Sequence, residues 1–103
     1  MEMTEVRRFD QPQVGTIKLS EAIRIGALRR PQCSDAFFHN GRSCAIGAAY
    51  EGFFGTPDGF RQRLLYRAFP HIPTGTWAQI IAQNDGLKNS REQIADWLEA
   101  QGL

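Results

Sequence analysis

Between Ser43 and Phe54 the chain reads Ser-Cys-Ala-Ile-Gly-Ala-Ala-Tyr-Glu-Gly-Phe-Phe, and this stretch limits the fold more than any other. The run predicts a helix with Ser43 as N-cap, Phe54 in its last turn and Gly55 in a left-handed C-terminal position. Its middle is Ala45, Gly47, Ala48 and Ala49. Inside a helix, glycine costs about 1 kcal/mol relative to alanine. Gly47 therefore predicts close approach by another backbone, and a helix this slim belongs at the centre with the others wrapped around it.

The remaining elements follow from caps and apolar periodicity. A first helix is predicted after the N-cap Ser20, with Leu19, Ala22, Ile23, Gly26 and Ala27 on one face and Pro31 as its stop. Asn40-Gly41 marks a tight turn, at most a tiny hairpin, leading into the small-residue helix. Thr56-Pro57-Asp58 predicts an immediate third helix with Thr as cap and Pro in the first position, burying Phe60, Leu64, Leu65, Ala68 and Phe69. A fourth is capped by Thr74 or Thr76, turns Trp77, Ile80 and Ile81 inward, and exits at Asn84-Asp85-Gly86. The fifth opens on a capping box, Ser90 with Gln93, buries Ile94, Trp97 and Leu98, and closes at Gly102. The expected architecture is all-α: one compact helical domain of five short helices over residues 17–103. Residues 1–16, broken by Gln11-Pro12-Gln13, are expected to be a flexible arm with one short extended piece near Val14 to Ile17.

A chain of 103 residues is expected to form one domain, and a net charge of +1 gives no global attraction to nucleic acid or acidic membranes. The charge is unevenly placed. Arg7, Arg8, Lys18, Arg24, Arg29, Arg30 and Arg42 lie in the first half, whereas Glu92, Asp96 and Glu99 dominate the tail. Two cysteines are too few for a disulfide framework, so both read as reduced thiols. Met1 to Asp10 has no apolar signal core, and no apolar run is long enough to span a membrane. The expectation is a soluble, cytoplasmic protein.

Four chemistries are worth weighing. Cys44 in the first turn of a helix, with His39 or His71 as base, is the pattern of a thiol enzyme, against a plain reading as buried filling. Cys33, His39, Cys44 and His71 supply two sulfurs and two nitrogens, but their spacing matches no zinc knuckle, so no metal or cofactor is expected. The basic first helix, with Arg24, Arg29 and Arg30, is the better electrostatic candidate for nucleic acid. A helix-turn-helix built on the last two helices would present Glu92, Asp96 and Glu99 to phosphates. A calcium loop framed on Asp85, Gly86 and Glu92 would put Ile81 where its first carboxylate belongs.

Three pieces occur in order: Leu19-Ser-Glu-Ala-Ile-Arg-Ile-Gly-Ala27, then Ser43-Cys-Ala-Ile-Gly-Ala-Ala49, then Asn84-Asp85 followed by Ser90-Arg-Glu-Gln-Ile-Ala-Asp-Trp-Leu98. Together they resemble a loose group of small uncharacterised bacterial and phage proteins with a CALGAA-like helix and a late ND before a final amphipathic helix. The resemblance implies a compact helical domain and brings no activity with it. The functional expectation is a non-enzymatic interaction or regulatory module that binds a protein partner or pairs with itself as a homodimer. Its expected contacts are Arg24, Arg29, Arg30 and Arg42 with Phe37 and Phe38. The alternatives are a Cys44-dependent enzyme and a nucleic-acid-binding regulator using the first helix.

Overall fold

The computed structural model describes residues 17–103; the expected arm over 1–16 lies outside the described residues. Five α-helices follow in order: α1 (Leu19–Ala27), α2 (Ala45–Phe54), α3 (Gln62–Ala68), α4 (Thr74–Ile81) and α5 (Arg91–Glu99). A five-residue π-helical turn, Ala82–Gly86, extends α4. Two short strands, β1 (Phe38–His39) and β2 (Arg42–Ser43), separate α1 from α2.

As its small side chains predict, α2 is the centre. Ala45, Ala48 and Ala49 are fully buried, and only Gly52 and Phe54 of its residues reach partial exposure. α1 packs on α2 and also on α5. The α1–α2 contact is backbone on backbone. A Cβ on Gly26 would stand 1.8 Å from the carbonyl oxygen of Ala48, and one on Gly52 would stand 1.9 Å from that of Ala22. Gly47 is approached by backbone too, but from the loop: its Cβ would lie 2.4 Å from the Phe37 carbonyl oxygen.

The all-α expectation needs one correction. Asn40 (φ 50°) and Gly41 (φ 74°) both take the left-handed conformation, the geometry of a two-residue hairpin turn. The flanks pair as antiparallel strands, Phe38 with Ser43 and His39 with Arg42. Ser43 is also bridged in parallel to Gln32, so the loop before the hairpin lies along its other edge.

Several helix starts shift for identifiable reasons. α1 begins two residues early, with Lys18 as N-cap, because the Glu21 carboxylate accepts from the Lys18 amide at 2.8 Å, leaving Ser20 inside the helix and buried. Ser43 is a strand residue, and Cys44 caps α2 through Sγ, which accepts from the Gly47 amide. The Thr56 hydroxyl accepts from Asp58 N at 3.1 Å, but this bond closes a turn. Gly59 then takes φ 72°, and α3 starts only at Gln62. Pro73 is the N-cap of α4. The Ser90–Gln93 capping box of α5 and the left-handed Gly55 after α2 form as predicted.

The aromatic residues close the core around α2. Phe60 stands 5.0 Å from Phe37, 5.4 Å from Phe38 and 5.0 Å from Tyr50, and Phe53 meets Phe69 edge-on. Each phenylalanine pair therefore has both members against other rings. No helix among the described residues is long and apolar enough to cross a membrane.

Candidate functional site

The N-terminus of α2, the loop before β1 and the π turn after α4 meet at one side chain, Asn84. It is buried, and its amide is fully used. Oδ1 accepts from the Ala45 amide at 3.0 Å and from Gln32 Nε2 at 2.8 Å. Nδ2 donates to the Cys33 carbonyl at 2.9 Å and to Asp85 Oδ1 at 2.8 Å. Asp85 in turn accepts from the Asp35 amide at 2.9 Å. The π turn places Asn84 for this, with Leu87 N donating back five residues to Ala82 O.

A pocket of about 310 Å³ opens at this junction. Phe37, Cys44, Ile46 and Ile81 form apolar walls, and its charged members, Asp35 and Asp85, are both carboxylates. Such a pocket suits an apolar body carrying a positive group and disfavours an anion.

Cys44 lines this pocket but is not set up as a nucleophile. Burial pushes its thiol up to about 11, and the amides of Gly47 and Ile46 only partly offset that. The thiol is therefore protonated near neutral pH. His39 Nε2 pairs with Asn40 Nδ2 on the surface, and His71 lies beside Phe69. Neither histidine is hydrogen-bonded to the thiol. Cys33, His39, Cys44 and His71 do not converge: among the described residues no three His, Cys, Asp or Glu side chains are grouped to hold a metal ion.

The arginines named from sequence go to three different sets of partners, with only Arg29 and Arg30 sharing one. Arg24 faces the acidic side of α5 and pairs with Glu92 at 2.8 Å, Asp96 at 2.5 Å and Glu99 at 2.8 Å. Arg30 grips Glu51 with two bonds, 2.8 and 2.9 Å, while Arg29 donates to the Gly55 carbonyl at 2.9 Å and reaches Glu51 at 3.5 Å. Glu51 is buried, which pushes its carboxyl up, but Arg30 and Arg29 more than offset this and hold it below the ordinary glutamate range. Arg42 is exposed and donates to the Gln32 carbonyl at 3.4 Å. Phe37 and Phe38 are partly buried against Phe60.

Two further features carry no obvious mark in the sequence. Arg91 is buried, and its guanidinium donates only to neutral acceptors: Ser43 Oγ at 2.9 Å, Ser43 O at 3.3 Å, Arg30 O at 2.8 Å and Ala27 O at 3.5 Å. Burial lowers its pKa, with the neighbouring Cys33 and Cys44 thiols acting in the opposite sense. Around α3, Arg61, Arg63 and Arg67 are exposed, and no carboxylate among the described residues forms a salt bridge with them. Arg61 and Arg63 border a shallow groove with Phe37, Phe60 and Gln62. The arginine spacing was readable, since Arg63 and Arg67 are four apart; what their surroundings lack was not. No protein-family model, curated protein or solved structure matches the chain.

Proposed function

We propose that this chain is a non-enzymatic interaction module whose contact face is the α3 ridge, and that its partner is a protein presenting an acidic segment. The observation that carries this is the contrast between two sets of arginines. Arg24, Arg29 and Arg30 are engaged by carboxylates of the same chain, whereas Arg61 and Arg63 border the Phe37–Phe60 groove, Arg67 is exposed on α3, and none of the three is salt-bridged among the described residues. Guanidinium groups beside a partly exposed aromatic surface are the usual composition of an interface anchor. The protonated Cys44 thiol and the surface position of His39 give no support to the thiol-enzyme reading. The ion-paired first helix gives little to a nucleic-acid reading based on it.

Affinity capture tests the proposal, using the wild-type chain and the triple variant Arg61→Glu/Arg63→Glu/Arg67→Glu. The wild type should retain one specific protein, released as salt rises. The variant should lose it with an unchanged melting temperature, because these side chains are outside the core. Retention by the triple variant removes the α3 ridge from the mechanism, and a nuclease-sensitive ligand in its place would transfer the ridge to nucleic acid. Reversal of Arg29 and Arg30 is unsuitable as a probe, because it would strand Glu51 in the core.

A further inference from the structure

We propose that Cys33 and Cys44 are a disulfide-forming pair, a modification site that locks the loop before β1 onto the N-terminus of α2. Ser43 N donates to Pro31 O at 2.9 Å and Cys33 N donates to Ser43 O at 3.0 Å, the bond pattern of the parallel bridge between Gln32 and Ser43. The next residue on each side of that bridge is a cysteine. Bridged backbones lie about 4.8 Å apart, and a disulfide spans Cα separations of about 4.4–6.8 Å. Matching positions along a parallel ladder also direct their side chains to the same face.

Neither sulfur is held by a strong partner. Cys33 Sγ donates to Ala36 O at 3.4 Å, and Cys44 Sγ accepts from Gly47 N at 3.5 Å. Both thiols neighbour Arg91, whose positive charge has no carboxylate salt-bridge partner among the described residues, and both also neighbour the Asp85 carboxylate, which adds to burial in disfavouring thiolate. A neighbouring cation favours thiolate and so works against the effect of burial.

The oxidant is a small-molecule disulfide such as oxidised glutathione. Cys33 is the more accessible thiol and reacts first. Its proton leaves to solvent, and its thiolate attacks one sulfur of the oxidant. The oxidant's S–S bond breaks and one thiolate departs. Cys44, protonated at rest, gives its proton to solvent base in the slower closing step and attacks the adjacent Cys33 sulfur, displacing the second thiolate. In sum the two protein thiols lose two protons and two electrons, and the oxidant becomes two thiols.

The test is equilibration of the native chain in a series of reduced and oxidised glutathione, acid quench, and peptide mapping without reductant. The expected product is a monomer with Cys33 linked to Cys44, melting about 5–15 °C higher than the reduced chain. Its equilibrium constant for closure should exceed that of the urea-unfolded chain at least ~30-fold, the linkage counterpart of a stabilising disulfide. Cys44→Ser keeps an N-cap acceptor and so keeps the fold; in it the glutathione adduct on Cys33 should persist. A persistent adduct on Cys33 in the wild type would overturn the proposal. So would a disulfide between two chains, thiols that stay free across the series, or closure no stronger in the native chain than in urea.

Discussion

At the scale of single residues, the glycines of the α1–α2 crossing are the most sensitive positions. Helix propensity alone would make Gly26→Ala stabilising by about 1 kcal/mol. The new methyl would instead overlap the Ala48 carbonyl, which is backbone and cannot rotate away. Overpacking of this kind costs about 1–3 kcal/mol or more, so the net change should be a loss, read as a lower urea midpoint. A gain in stability would mean the helices separate freely there. Asn84→Ala should cost about 2–4 kcal/mol, since it leaves the Ala45 amide and the Cys33 carbonyl without their partner and takes one of two acceptors from Gln32 Nε2. Asn84→Asp should be no milder. It removes the Nδ2 donor and sets a carboxylate oxygen against the Cys33 carbonyl and Asp85. Equilibrium unfolding of the two variants separates loss of the amide from mere loss of volume.

Among elements, legibility follows how local the causes are. The Ser90–Gln93 capping box could be read because donor and acceptor are three residues apart, and both bonds form, at 3.0 and 2.8 Å. Ser90→Ala should accordingly cost about 1 kcal/mol, with the fraying confined to the first turn of α5 and visible by hydrogen exchange. Gly55 was legible for the same reason. Thr56-Pro57-Asp58 misled because a threonine hydroxyl bonded to an amide two residues on serves a turn as readily as a helix cap. Asn84-Asp85 read as a helix exit because its partners, Gln32, Cys33 and Ala45, lie far back in the chain. Gly26 matched the apolar period of α1, but its pairing with Ala48 needs the crossing itself. The small-residue run of α2 correctly predicted a backbone neighbour for Gly47, though not that a loop would provide it.

For the whole molecule, part of the uneven charge along the chain is folded back on itself among the described residues. Arg24 joins α1 to the acidic side of α5, and Arg29 and Arg30 close on Glu51 of α2. The Glu51 carboxyl titrates lower in the folded chain than in the unfolded one, so the unfolded state binds its proton first as pH falls. Its stabilising contribution is complete above the unfolded value of about 4.3 and is lost as pH drops through the lower folded value. Urea midpoints measured from pH 7 to pH 3 should fall along that limb for the wild type. Glu51→Gln should start about 1–3 kcal/mol less stable at neutral pH and show a flatter acid limb. Parallel curves for the two would place the acid sensitivity elsewhere.

The buried Arg91 guanidinium also bears on the order in which the molecule assembles. The carbonyls it ties together belong to Ala27, Arg30 and Ser43, all synthesised long before it. While the chain is emerging from the ribosome, the end of α1 and the strand before α2 have no such tether, so the amino-terminal half can dock only provisionally. Final locking waits for a residue more than forty positions downstream of Ser43, so the amino-terminal half stays unlocked until α5 has been made and has docked.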